Sequence, residues 1–322
     1  MPLEKDMKTM KTKIIVAGIG GVGGYFGGLL AKQFYGNKHV EINFLVRGKH
    51  LKEIKKSGLK IISGDSEFNA KPNIATDNPS EIGIADLIII CTKSYDIESV
   101  VEQLRPSIGQ KTILLPLLNG VDNKVKIENI YPENIVLDGC VYIVSRLKLA
   151  GVIENSGNIQ SLYFGIDNFV NDKLLRFGEI FSEAGIDATL SLNISTVIWE
   201  KYIFLSPTAT ATCFYNKCIG EILSNVESLE VIKLLISEVE KLSKAKGIII
   251  SDEIMEKTLM KLKSLPFETT SSMHTDFKNK KSNNELKSLT EYVLTEGEKL
   301  KVSTPTFSKL HAVLQKYVES FI

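Results

Sequence analysis

Residues 18–23 read Gly18-Ile19-Gly20-Gly21-Val22-Gly23, directly after the apolar run Ile14–Ala17. This G-x-G-x-x-G spacing constrains the fold more than any other feature of the chain. A buried strand that runs into such a turn and then opens a helix is the first unit of a doubly wound α/β sheet. Gly18 permits the tight turn, Gly20 lets the backbone approach a pyrophosphate, and Gly23 lets helix and strand pack closely. The helix N-terminus then offers free N–H groups and the positive end of its dipole to the phosphates. The backbone from Gly18 through Ile19, Gly20, Gly21 and Val22 to Gly23 is therefore the candidate dinucleotide cradle. Gly24, Gly27 and Gly28 are read as close helix–sheet packing.

The first half continues the same alternation. Val40–Val46, Leu87–Cys91 and Ile113–Leu118 are compact apolar runs, as strands covered on both faces should be. Leu59–Ile62 and Glu67–Ala70 flank a Ser-Gly-Asp-Ser turn and predict a hairpin. Val136–Ser145 and Val152–Phe164 add strand-like segments. Strands alternating with helices imply a mainly parallel sheet of Rossmann type. Beyond Leu192 the period changes. Leu229, Ile232, Leu235, Val239, Leu242 and Ala245 follow helical spacing, and Gly247 ends the pattern. Asn284–Leu294 and Phe307–Tyr317 also read as helical. The 322 residues thus divide into an N-terminal extension (1–12), a Rossmann-type dinucleotide domain (13–192) and an all-helical C-terminal domain (193–322).

Charge narrows the function. Lys and Arg total 39 against 38 Asp and Glu, a net charge of +1, so no global basic field recruits nucleic acid or an anionic membrane. Apolar runs of about six residues fall far short of the roughly 20 that cross a bilayer. The charged N-terminus lacks the apolar stretch of a signal peptide. The four cysteines form no CxxC pair and no zinc spacing, and Cys91 lies in an apolar run, which points to buried thiols, no metal and a reducing cytoplasm.

The end of the second strand bears on cofactor choice. An acid there holds the ribose 2′-OH of NAD. Here the chain reads Phe44-Leu45-Val46-Arg47-Gly48-Lys49-His50, with no acid. Arg47, with Lys49 as a second cation, suits a 2′-phosphate and so NADP(H); the alternative is a pair of solvated loop charges. Lys93 follows the strand Leu87–Cys91 and Asn119 follows Ile113–Leu118, both at carboxyl ends of strands where ligands of such sheets collect. Asn119-Gly120 is also a turn signal, and Lys201, in Trp199-Glu200-Lys201, is on spacing alone an ordinary helix charge.

Taken in order, GIGGVGGYFGGLLA (18–31), ADLIIICTKSYD (85–96), LNGVDN (118–123), WEKYIF (199–204), SSMHTDF (271–277) and NELKSLT (284–290) make the chain resemble the ketopantoate reductase (2-dehydropantoate 2-reductase) family. The resemblance implies a Rossmann domain joined to a helical domain, NADPH-dependent reduction of a small-molecule 2-keto acid, and specific roles. Lys201 matches the catalytic lysine and Glu285 the acid that hydrogen-bonds the substrate hydroxyl. Ser272 matches a substrate-binding serine, Asn119 the asparagine between cofactor and substrate, Lys93 a lysine beside the cofactor, and Arg47 the 2′-phosphate position.

The chemistry fits those roles. Hydride transfer to a keto carbon drives negative charge onto its oxygen, which an ammonium stabilises and then protonates. A free lysine, at about pKa 10.4, is a reluctant acid; burial would lower that value and Glu285 would raise it again. The sequence also departs from the family. Leu205 and Ala209 stand where substrate-binding asparagines are usual, Leu118 replaces a glutamine, and one extra residue lies between Ser272 and Glu285. Ser206, Thr208, Thr210 and Thr212 offer hydroxyls nearby, though a hydroxyl cannot copy both ends of an amide. Which keto acid is the substrate therefore stays open. A related NADP-dependent 2-hydroxy-acid dehydrogenase and a non-catalytic NADP(H) sensor are the rival readings. Trp199 reads as an interdomain packing residue and His274 as a partly exposed helix histidine. The apolar helices of the second half are compatible with a homodimer.

Overall fold

The computed structural model describes residues 11–321. The extension read over 1–12 falls largely on residues 1–10, outside the described residues. The first strand, β1 (Thr12–Ala17), begins at Thr12, which pairs with Val40.

The chain forms two compact units. The first runs to Leu118 and resumes over Asp122–Ile194; the second comprises Asn119–Val121 and Ser195–Ile322. The first unit contains the expected parallel sheet. β1, β2 (Val40–Leu45), β5 (Ile74–Thr76), β6 (Leu87–Ile90) and β7 (Ile113–Pro116) lie in the order β5-β2-β1-β6-β7, every pair parallel. The order reverses at β1, the topological switch point where such sheets bind ligands. Alternate strand residues enter two cores. Ile14, Val16, Ile42, Phe44, Leu87 and Ile89 join one, and Ile15, Ala17, Ile88, Ile90 and Leu114 the other. That two-sided burial accounts for the unbroken apolar runs.

A second, mixed sheet goes beyond the sequence expectation. β3 (Leu59–Ser63) and β4 (Ser66–Ala70) form the predicted hairpin, with Ser63 opposite Ser66. This hairpin leaves the parallel sheet and pairs through β3 with β9 (Val152–Gly165). β9 also pairs antiparallel with β8 (Asp138–Leu149) and parallel with β10 (Asp187–Leu190). Helix α1 (Gly21–Gln33) lies between the two sheets, and its glycines explain how. A Cβ on Gly27 would meet Phe44 and Val16 at 3.2 and 3.3 Å, in the parallel sheet. On Gly24 it would meet Ile153, and on Gly28 it would meet Ile61, at 2.5 and 2.8 Å, in the mixed sheet. The remaining helices of this unit are α2 (Gly48–Ser57), α3 (Ile97–Gln103), α4 (Asn123–Glu128) and α5 (Asp172–Glu183).

The second unit is helical, as read from the sequence. Its centre is α6 (Ile194–Tyr215), 22 residues with Pro207 inside. After it come α7 (Ile219–Ser224), α8 (Val226–Ala245), α9 (Ile254–Ser264), α10 (Ser272–Lys278), α11 (Tyr292–Leu300) and α12 (Pro305–Glu319). The predicted stripe of α8 is buried at Ile232, Leu235, Val239 and Leu242, while Ala245 lies exposed beyond the core. The segment read as one helix from Asn284 begins instead with a π turn over Lys287–Glu291. Trp199 is buried in this unit's own core, edge-on to Tyr202 with ring centroids 5.6 Å apart. Among the described residues, no helix is long and apolar enough to cross a membrane.

Candidate active site

The glycine turn is built as its spacing demands. Gly18 has φ +89°, and a Cβ there would lie 2.8 Å from Thr92 Cγ2 and 2.9 Å from the Cys91 carbonyl carbon. Gly23 abuts the Gly18 carbonyl oxygen, which a Cβ would meet at 2.2 Å. Gly20 is the N-cap of α1, with no side-chain cap and no acid in the first turn. A Cβ on Gly20 would meet nothing within 4 Å, so the backbone is open to an approaching group. Beside the turn, Thr92 Oγ1 is buried without a hydrogen-bond partner. Uncapped amides, open space and an orphaned hydroxyl fit the phosphates of a dinucleotide. Ile19 is buried, and Val22 is half-buried in the first turn of α1.

His50 is a residue that sequence reasoning passed over. The Gly151 N–H donates to its Nδ1 at 2.8 Å, so the ring proton sits on Nε2, which donates to the Ile19 carbonyl at 2.8 Å. One neutral imidazole thus ties the glycine turn to the β8–β9 corner. Burial lowers the His50 pKa, partly offset by the Ile19 bond. Neither the apolar period of α2 nor the cations that precede it signal a two-sided histidine.

Arg47 sits at the N-cap of α2 at the carboxyl end of β2, exposed like Lys49, with no acid in that helix's first turn. Lys93 caps the short 3-10 turn Ser94–Asp96 after β6 and is half-buried. Cys91, read from its apolar run as a buried thiol, is half-buried, and burial pushes its thiol pKa well up.

The remaining candidates gather in the second unit. Lys201, half-buried on α6, donates from Nζ to Asn119 Oδ1 at 3.2 Å. Asn119 belongs to this unit although it follows β7 in sequence. Glu285 is buried, and its Oε2 accepts from Ser272 Oγ at 3.4 Å. Ser272 opens α10, whose N-cap Ser271 meets Thr212 Oγ1 of α6 at 2.9 Å. The π turn is held to α6 by its own carbonyls. The Tyr202 hydroxyl donates to the Ser288 carbonyl at 2.8 Å, and Ser206 Oγ to that of Leu289 at 2.5 Å. A π turn misaligns backbone bonds, and such turns collect at functional sites. These bonds fix the segment that starts with Glu285 against the helix that carries Lys201.

His274 corrects its sequence reading. It is fully buried, with Nδ1 bonded to Thr270 Oγ1 and Nε2 to Asn216 Oδ1 at 2.9 Å. Both ring nitrogens are occupied within the unit.

With this geometry in place, known proteins sharpen the assignment. A family model described as ketopantoate reductase PanE/ApbA matches residues 14–168, and its C-terminal counterpart matches 193–318. The chain belongs to the ketopantoate reductase family. An uncharacterized oxidoreductase, YkpB of Bacillus subtilis, is 29% identical over 306 residues, covering 95% of this chain and 98% of its own. A 2-dehydropantoate 2-reductase of Streptococcus pyogenes is 28% identical, covering 80% and 83%. The crystal structure of 2-dehydropantoate 2-reductase from Porphyromonas gingivalis W83 is 34% identical and superposes with a TM-score of 0.84, covering 95% of this chain and 99% of that one. Ketopantoate reductases are NAD(P)-dependent oxidoreductases with a Rossmann fold, and the two units here follow that plan.

Proposed function

We propose that the protein reduces a 2-keto acid to a 2-hydroxy acid with NADPH. The observation that carries this reading is the Lys201–Asn119 hydrogen bond at 3.2 Å, with the buried Glu285–Ser272 pair in the same unit. Bound NADPH supplies the hydride for the keto carbon. The uncapped turn from Gly18 to Gly23 receives its pyrophosphate, and Arg47, without a competing acid in its turn, receives the 2′-phosphate. Lys93, just after β6, would stand beside the bound cofactor.

Lys201 then does the acid's work. Asn119 accepts one ammonium hydrogen and so aims the others. As charge develops on the keto oxygen the ammonium stabilises it, then gives it a proton. Glu285 accepts from Ser272 and receives the hydroxyl that forms; Ser272 orients the acid through its Oε2. Both act on substrate, and neither requires a metal ligand set.

Lys201→Ala should lower the rate constant for keto-acid reduction by about two to four decades, the scale of a lost general acid. NADPH affinity, read separately by fluorescence titration, should stay near that of the parent. An unchanged rate constant would remove Lys201 from the chemistry, and no NADPH oxidation across a panel of 2-keto acids would remove the reaction itself.

A further inference from the structure

The sequence leaves the keto acid open because Leu205 and Ala209 stand where asparagines are usual, with hydroxyls of α6 as the polar groups nearby. The structure shows where those hydroxyls go. Ser206 donates to the Leu289 carbonyl at 2.5 Å, and Thr210 shares a hydrogen bond with Thr290 at 2.8 Å. Thr208 turns its hydroxyl back onto the Phe204 carbonyl of its own helix at 2.6 Å. Thr212 donates to the Thr208 carbonyl at 2.8 Å and meets Ser271 at 2.9 Å. All four residues are buried.

At 100° per residue, the side chains at 205, 208 and 212 fall within about 40° of Lys201 around the helix. Thr208 and Thr212 donate their hydroxyl protons to the Phe204 and Thr208 carbonyls of their own helix. Leu205, the next side chain on that face, is half-buried, packed at the margin of the second unit's core. Ala209, eight positions on, is buried and adds only a methyl. The wall that follows the amine along α6 is therefore apolar at Leu205 and Ala209, and its two threonines spend their hydroxyl protons inside the unit.

We infer that the keto acid of this protein carries an apolar chain beyond its keto carbon, packed against Leu205. The inference rests on the proposed reductase function and names the substrate class of the same site. In the reaction the hydride adds to the keto carbon, the C=O π pair moves to oxygen, and oxygen takes a proton from the Lys201 ammonium; NADPH leaves as NADP+. None of these steps touches the far end of the chain. A hydroxyl placed there would lose its water against Leu205 and gain no side-chain partner from Leu205 or Ala209, which is the penalty that discriminates substrates best.

The test compares two keto acids that differ by one hydroxyl, 3,3-dimethyl-2-oxobutanoate and 2-dehydropantoate. The first should show a kcat/KM at least tenfold higher with NADPH. Leu205→Asn should move that ratio at least tenfold toward the hydroxylated acid. The order should recur without turnover. With NADP+ present, 2-hydroxy-3,3-dimethylbutanoate should raise the Tm of the parent protein more than pantoate does, a readout that does not depend on the variant folding. Equal or better use of 2-dehydropantoate by the parent protein would overturn the inference and leave the reductase reading standing. Oxidation of NADPH with no keto acid of a broad panel would overturn both.

Discussion

Asp138, the first residue of β8, shows how burial sets a charge in this molecule. Burial pushes its carboxyl up to about 6, against the pull of Lys124 and with further push from Asp167 and Glu128. The Lys124 ammonium is 3.6 Å away, too far to offset the lost hydration. A carboxyl raised above its unfolded value favours the protonated native state. That contribution is complete below the ordinary carboxylate range and is lost as pH rises through about 6. Asp138→Asn keeps the neutral shape at every pH. Relative to the parent, its stability should therefore improve by about 1–3 kcal/mol between pH 4 and pH 8. Urea denaturation at both ends of that interval measures the swing; a constant difference would mean the side chain is solvated in the native state. Single residues also show what a sequence reveals. Lys201 stands out only through its motif, because on spacing it is any helix lysine, and its bond to Asn119 joins positions 82 apart. His50 carries no signal, since its two partners, Ile19 and Gly151, lie on other elements.

At the scale of elements, the second unit depends on one helix capping another. Glu238 lies mid-helix in α8 and is buried, yet its two oxygens accept from the Thr306 and Phe307 amides at 2.8 and 3.0 Å. Those amides open α12, whose own N-cap, Thr304, makes no side-chain cap. Glu238→Ala would strand both donors and should cost about 2–4 kcal/mol, and Glu238→Gln, with one acceptor left, about half of that. Chemical denaturation with an unchanged m-value checks it; an unmoved midpoint for the alanine variant would show that the amides find other partners. Sequence patterns reveal elements that obey one period. The stripe on α8, the β3–β4 hairpin and the strands of the parallel sheet are legible for that reason. Two features are not. The β8–β9 pair joins β3 in its own sheet because α1 has glycine on both faces and so accepts a layer on each, and a glycine run does not say how many neighbours it serves. The π turn at Lys287–Glu291 breaks the helical period, and the bonds that hold it, to Tyr202, Ser206 and Thr210, come from a distant helix.

For the whole molecule, the division of labour follows the division of the core. The first unit holds the glycine turn, His50 and Arg47; the second holds Lys201, Ser272 and Glu285, together with the short crossing segment Asn119–Val121. Val121 packs on the second unit's core, so a segment that follows β7 in sequence is anchored among helices. Spacing could not assign it, because an Asn-Gly turn after a strand looks the same whichever core receives it. The assignment has a consequence for ligand binding. If the glycine-turn amides receive the phosphates as proposed, they and the turn that His50 braces should become protected when NADPH binds, because a ligand that binds only the native form suppresses local opening. In amide hydrogen exchange, NADPH alone should slow peptides covering 17–24 and 45–51 and leave those within α8 unchanged. Adding a 2-hydroxy acid together with NADP+ should extend the protection to peptides covering 119–121, 199–212 and 271–289. Protection of α8 equal to that of the glycine turn on NADPH alone would mean that the cofactor is not the first unit's ligand, and phosphate binding would then fall to residues other than Gly20 and Arg47.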